Sequence, residues 1–469
     1  MAGDGDTTLR GTSVDGRAFV VDVPVERLEL RVGGYVAVDD GRSGERLGYV
    51  TDIALADGDR RTALVDGRML EGPAVPFGGA SVRVATPREV THWLEGARAA
   101  RASLDVGTLT FADGVPLGLD AGAFDRHTFL CGQSGSGKTY ALGTILERLL
   151  VETTLRIVVL DPNSDFVRLG ELREGVDGEV GARYAAAAQV DVRRAGETGD
   201  RRLHVRFRDF DAAERAAVLR LDPIDDREEY GALLDAVERA DETLASTVQE
   251  SIQQLLELSG SFRALGVRAR NLGVDRWEVW SGNDIGALED LVQPGGPRCV
   301  VADLGSLGSR GEQAVAAESL LAALWRRRAE REPMLIVIDE AHNVCPSRPE
   351  DPLTALATEH AERIAGEGRK FGLVLLVATQ RPQKVHENVV SQCDNLVLMR
   401  MNSRSDLAVL SEIFSFVPHS LLGLATEFRQ GEAVVAGKLV PSPTLGRFGP
   451  RWSVEGGADV AADWAARRA

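Results

Sequence analysis

Residues 131 to 140 read CGQSGSGKTY, and their types and spacing are those of a phosphate cradle. Gly132, Gly137, Lys138 and Thr139 fit the pattern G-x-x-x-x-G-K-[ST] without a mismatch. Small residues at Ser134, Gly135 and Ser136 let the backbone curl until its N–H groups point inward at phosphate oxygens. Lys138 is expected to reach the β- and γ-phosphates, and the Thr139 hydroxyl to ligate Mg²⁺. A chance match is the alternative in a chain with 50 Gly among 469 residues. The context argues against it. The apolar run Thr128–Cys131 predicts a strand feeding the loop, and the helical spacing of residues 140–150 predicts the helix that follows, whose N-terminus attracts an anion.

Hydrolysis needs an acidic strand end as well. The stretch MLIVIDEAHN supplies one, with four apolar residues, Leu335 to Ile338, followed by Asp339 and Glu340. Asp339 is expected to hold Mg²⁺ through water, and Glu340 to orient and deprotonate the attacking water. The bland alternative is a pair of strand-capping acids. A further strand, LVLLVATQRPQKV, ends in Thr379-Gln380-Arg381, and Gln380 at that tip can sense a γ-phosphate. Arg381, and Arg369 in GEGRKFG, are candidate arginine fingers that reach the nucleotide of a neighbouring subunit. The alternative for each is a surface or ion-paired arginine. His127 and His342 lie near these motifs and are assigned packing or hydrogen-bonding roles. Small-molecule kinases seldom combine these parts, so a motor or switch ATPase is the reading preferred.

The elements that position these residues follow from the pattern of the chain. Residues 1–90 hold short alternating runs such as RAFVVDV and LGYVTDIAL between Gly and Asp turns, which predicts a small β-barrel. Residues 91–127 read as a linker, with a helix over VTHWLEGARAARASL and then an extended approach to the cradle. From residue 128 to 445 strands alternate with helices. LRIVVL, RCVVADL, MLIVID, LVLLVA and the run from Asn395 are the strands, so a mostly parallel, doubly wound sheet is expected. Helical spacing at about 205–295 predicts an insertion, residues 172–200 a loop or weak helix, and residues 446–469 a tail.

Composition bounds the class. Formal net charge is −17. Of 54 basic residues four are Lys (Lys138, Lys370, Lys384, Lys438) and the other 50 are Arg. Many acids with almost no Lys suggest adaptation to molar internal salt, with a GC-rich genome as the alternative. The run Arg326-Arg327-Arg328 reads as a solvated helix face rather than a DNA site. Cys131, Cys299, Cys345 and Cys393 are widely spaced and form no zinc pattern. No apolar run is long enough to cross a bilayer, and the opening MAGDGDTTLR has no secretory signal, so a cytoplasmic location away from membranes is expected.

Taken together, GQSGSGKTY, VVLDPNSDF, LIVIDEAHN, IAGEGRKFG and ATQRPQKVHENVVSQCDNLVL resemble the HerA-type ATPases of the HerA/FtsK group. The resemblance runs over roughly residues 20–445 and includes the N-terminal β-region and the stretch GEAVVAGKLVPSPTL. It implies a RecA-like P-loop ATPase core with a helical insertion, preceded by a small barrel of the kind shared with rotary ATP synthases. It implies ATP and Mg²⁺ as cofactors, double-stranded DNA as substrate, a homo-hexamer, and a NurA-like nuclease partner in DNA end resection by homologous recombination. On the motif match Gln133 and Tyr140 belong to the nucleotide-binding stretch, Asp161 to the residues that support the site, Glu340 is the catalytic glutamate, and Gln380 and Arg381 fill sensor and trans-acting positions. Asn163 and Asp165 stand where a His and a Glu are common in the family, and ATQRP replaces SQRP. Two other readings stay open. One is a conjugation, plasmid or defence-type DNA pump, and the other is a nucleotide-switched ring scaffold for a nuclease. A halophilic archaeal source is expected from the charge.

Overall fold

The computed structural model describes residues 9–56, 59–97, 102–176, 178–240, 247–280 and 286–457. The chain divides into two compact units that are discontinuous in sequence. One comprises Met1–Arg148 with Asp394–Pro450, and the other Leu149–Cys393 with Arg451–Ala469.

The first unit opens with β1 (Leu9–Ser13), β2 (Ala18–Pro24), β3 (Tyr35–Asp39), β4 (Glu45–Ala56), β5 (Asp59–Met69) and β6 (Phe77–Val84). They close into an antiparallel barrel in the order β1-β2-β5-β4-β3-β6. Alternation is the cause. Along β2 every second residue is buried, and Phe19, Val21 and Val23 point into a core with Val36, Val38, Val50, Val65 and Val82. Closure pairs β1 with β6 and leaves no open edge.

The expected helix of residues 90–104 is shorter. Among the described residues it spans Pro87–Ala97, residues 98–101 of the expected helix lie outside them, and Ser103–Leu109 is instead β7, in which Leu104 and Val106 alternate inward. β7 pairs antiparallel with β8 (Pro116–Asp120). The wholly buried β9 (Thr128–Cys131) then enters the Gly132–Gly137 loop, and a helix runs over Lys138–Glu152.

The second unit holds β10 (Arg156–Asp161), β11 (Val190–Arg194), β12 (Cys299–Asp303), β13 (Met334–Ile338) and β14 (Leu373–Thr379). They lie in the order β11-β12-β10-β13-β14, and every pair is parallel. β12, β13 and β14 are buried from end to end, as strands covered on both faces must be. β11 falls where a loop or weak helix was expected. Its VDVRR is mostly polar and lies at the end of the order, where only β12 pairs with it. Helices connect the strands. Arg310–Arg326 is capped by the Ser309 hydroxyl, and Pro352–Glu367 by the Asp351 carboxylate with Pro352 in the first turn. The helical insertion is present as Ala212–Val218, Arg227–Ala240, Val248–Glu257 and Gly260–Leu272.

The chain returns to the first unit with β15 (Asn395–Met399), β16 (Glu432–Ala436) and β17 (Thr444–Phe448). β15 is parallel to β9, and the order β15-β16-β17-β7 continues antiparallel. β17 runs across the expected boundary at 445; of the expected tail, residues 446–457 belong to the two units and residues 458–469 lie outside the described residues. Between β15 and β16 lie helices Arg404–Ile413 and His419–Gly423. Ser420 Oγ donates to Asp52 Oδ1 on β4 at 2.6 Å, and Tyr35 and Thr444 share a hydroxyl bond of 2.5 Å, so the barrel is tied to the rest of its unit. Among the described residues no helix is long and apolar enough to cross a membrane.

Candidate functional site

The loop after β9 is built by its glycines. A Cβ on Gly132 would stand 2.7 Å from Ser136 Oγ and 2.8 Å from Met399 Cβ, so only glycine fits the close turn. Gly137 has φ +95°, a region L side chains avoid, and lies against the Gly431 backbone. The loop is held by Ser136 N–H to the Gln133 carbonyl at 3.1 Å and by Gly431 N–H to the Ser136 carbonyl at 2.8 Å. The second bond turns the Ser136 carbonyl outward to a neighbouring segment, the arrangement that leaves loop N–H groups for an anion. Lys138 opens the following helix and is buried, and Thr139 and Tyr140 follow it in the first turn. Gln133, Ser134, Gly135 and Ser136 form the turn itself, in which Ser136 is wholly buried. The first unit therefore brings all nine residues of the predicted cradle, Gly132 to Tyr140, into one loop and helix start.

In the second unit the carboxyl ends of three neighbouring strands carry Asp161, Asp303 and Asp339, all fully buried. The register that pairs Asp161 with Asp303 and Leu160 with Ile338 sets them side by side. Asp303 is neutralised by Arg194 Nε at 2.7 Å and bonded by Ser164 Oγ at 2.6 Å. Asp161 accepts the backbone N–H groups of Asn163, Asp165 and Phe166 at 3.3, 3.0 and 2.8 Å. Burial nevertheless pushes its carboxyl up to about 7. The N–H groups of Phe166 and Asp165 oppose this, and the charges of Asp339 and Asp165 add to it. Oxygens of Asp161, Asp165 and Asp339 lie within 4.8 Å of one another. An all-oxygen set of this kind suits a hard divalent cation such as Mg²⁺, which would also favour the charged form of Asp161.

Glu340 follows Asp339 with φ +42°, a left-handed conformation that costs a residue other than glycine roughly 1–3 kcal/mol. The strained turn aims its buried carboxylate along the strand end. Gln380 Nε2 donates to Glu340 Oε1 at 2.7 Å, and His342 Nδ1 stands 3.3 Å from Oε2. His342 Nδ1 is also 3.1 Å from Thr379 Oγ1, which accepts the Arg381 N–H at 3.0 Å. Glu340, His342, Thr379 and Gln380 thus form one connected group at the ends of β13 and β14. Arg381 begins the next turn with its side chain exposed. Arg369 is not part of this group. It lies in the turn Gly368–Phe371 that precedes β14, at the amino end of the strand whose carboxyl end leads to Gln380.

Three further residues, none of them given a part in the chemistry from the sequence, join these groups. Asp165 is brought back to Asp161 by the tight PNSDF turn, a spacing readable only once that turn is known. His342 clamps Glu340, and the i, i+2 spacing in DEAH was its only signal. Asp303 is hidden in RCVVADL, where it reads as an ordinary strand end.

A glycine cradle at the mouth of a buried strand, together with a second buried strand that ends in Asp-Glu, defines a P-loop ATPase. The family profile described as "Helicase HerA, central domain" matches residues 104–277. The DNA double-strand break repair helicase HerA of Sulfurisphaera tokodaii is 24% identical over 397 residues, which cover 81% of this chain and 75% of that protein. The protein of the same name from Pyrococcus furiosus is 23% identical over 403 residues, 74% and 69% of the two chains. The structure of VirB4 from Thermoanaerobacter pseudethanolicus shares the fold, with TM-score 0.51 and 15% identity over 75% of this chain and 97% of that one. The chain is an ATPase similar to the HerA helicases over most of its length. Its core is α/β with mostly parallel strands, and a closed barrel precedes it.

Proposed function

We propose that the chain is an ATP-driven motor that moves double-stranded DNA, works as a homo-hexameric ring, and acts with a NurA-like nuclease in the resection and repair of DNA ends. The observation that carries the reading is the buried, strained Glu340 held by Gln380 and His342, a water-activating group of the kind a turnover ATPase requires. The relatives from S. tokodaii and P. furiosus, named as double-strand break repair helicases, supply the DNA.

The residues divide the work. The Gly132–Gly137 loop would receive phosphate oxygens on its N–H groups, Lys138 would reach the β- and γ-phosphates, and Thr139 and Asp339 are the residues that would hold Mg²⁺. When bound, the metal neutralises charge that develops on the phosphate oxygens. Asp161 and Asp165 would support that metal with their oxygens, Glu340 takes the proton of the attacking water, and Gln380 reports the γ-phosphate to Glu340 through the bond they share. Arg381, exposed beside this group, is the candidate to reach a neighbouring subunit's nucleotide. Arg369, at the other end of β14, has the weaker claim. A ring also suits a chain of net charge −17, because encirclement retains DNA where phosphate contacts fail in high salt. The same charge supports a halophilic source and a cytoplasmic site of action.

The test is ATP hydrolysis by the purified protein in molar KCl, with and without linear duplex DNA. Strong stimulation by DNA is expected. Hydrolysis that ignores DNA in a confirmed hexamer would remove the translocase reading in favour of a nucleotide-switched scaffold.

A further inference from the structure

The segment Arg400-Met401-Asn402, which leaves the end of β15, has no part in the chemistry above. It nevertheless meets the cradle at three points. The pairing of β9 with β15 carries past its last partner, so that the Gln133 N–H donates to the Arg400 carbonyl at 2.9 Å. The Asn402 N–H donates to the Gln133 side-chain Oε1 at 3.1 Å. The Arg400 guanidinium donates through Nη2 to the Gly135 carbonyl at 3.0 Å.

The last bond has a physical purpose. A loop that turns its N–H groups toward an anion must turn carbonyls away from it, and Gly135, at φ +72°, lies outside any regular element that would donate to its carbonyl. A guanidinium is suited to that carbonyl. It is always charged, its bonds to oxygen are charge-assisted, and its planar fork holds direction. Arg400 is half-buried, its Nε is enclosed and makes no hydrogen bond among the described residues, and its Nη2 is committed to the loop. A Cβ at Gly135 would already lie 3.5 Å from Nη2, so the arginine follows the loop surface closely.

We infer that Arg400 is a positioning residue for nucleotide binding: it fixes the Gln133–Gly135 turn in its phosphate-accepting form from outside the cradle. The inference rests on the reading that this loop binds ATP. Arg400 acts on the cradle through the Gly135 carbonyl. Its loss therefore weakens binding of ground state and transition state alike.

The experiment is steady-state ATP hydrolysis and equilibrium ATP binding for the full chain, for Arg400→Ala and for Arg400→Lys, with circular dichroism to match their folds. Arg400→Ala is expected to raise KM and Kd for ATP about tenfold with kcat within about twofold, the effect of losing one charge-assisted bond. Arg400→Lys, which keeps a donor for the Gly135 carbonyl, is expected to recover most of that loss. Unchanged KM and Kd in a folded Arg400→Ala would overturn the inference. A fall in kcat at constant KM would overturn it too, because it assigns Arg400 to the reacting phosphate. Wild-type protein that binds no ATP would instead remove the nucleotide reading beneath it, so the two failures are distinguishable.

Discussion

The cradle and the acidic strand ends are built by opposite means. The cradle is backbone. Its specificity lies in what is missing, a Cβ at Gly132 and at Gly137, and in carbonyls turned outward to Gly431 and Arg400. The strand ends of the second unit are side chains. Their character comes from burial, which raises Asp161 and leaves Glu340 clamped between Gln380 and His342. A backbone device tolerates no added atoms but carries no charge to mistune. A buried carboxylate tolerates isosteric replacement in shape and none in charge. The contrast sorts the possible mutations by mechanism.

The largest effect is expected at Glu340→Gln. The amide keeps an oxygen for Gln380 and the shape of the clamp, yet cannot take a proton. Turnover should fall by roughly 10³-fold with ATP affinity within about threefold, read by single-turnover hydrolysis beside a binding titration. Near wild-type turnover would sink the assignment of the strand-end group. Next comes Gly132→Ala. The added methyl meets Ser136 Oγ at 2.7 Å and Met399 Cβ at 2.8 Å, so the loop must open. ATP affinity should fall roughly tenfold to a hundredfold, while kcat at saturation changes little. Should kcat collapse and binding survive, the division between a backbone that binds and side chains that react would be wrong.

The smallest effect extends the comparison to stability. His204 in the second unit is buried with both ring nitrogens unbonded among the described residues, and burial, aided by Arg202 and Arg193, pushes it down to about 4. Its folded value lies below the ordinary 6.5. The unfolded chain therefore takes the proton first as pH falls, and stability present above about 6.5 is lost as pH drops toward 4. The loss is of the order of 3 kcal/mol at most. Urea unfolding at pH 7 and pH 5 should show this slope in wild type and a shallower one in His204→Gln. Equal slopes would discharge the buried histidine from any such role.

What could be read beforehand follows the same divide. Backbone devices announce themselves because glycine, lysine and threonine must sit at fixed offsets, and the loop from Gly132 to Thr139 is found by spacing alone. Strands buried on both faces announce themselves too, and β10, β12, β13 and β14 were legible as apolar runs. β11 was not, because VDVRR at the end of the order has little apolar content to display. Side-chain groups assembled across strands leave weaker traces. His342 and Asp165 owe their place to a strained turn and a tight loop, and Arg400 to a strand register, none of which periodicity reports. Arg369 shows the converse. A basic residue near a motif in sequence was placed by the fold at the amino end of β14, whereas Gln380 follows the carboxyl end.

The chain that leaves β15 at Arg400 does not wander. Met401 N–H bonds the Ala425 carbonyl at 2.9 Å, and within this short excursion Ser420 grips Asp52 on the barrel wall. The barrel and the nucleotide loop are thus fastened to the two ends of one strut. Whatever molecule grasps the barrel also gains a handle on the loop.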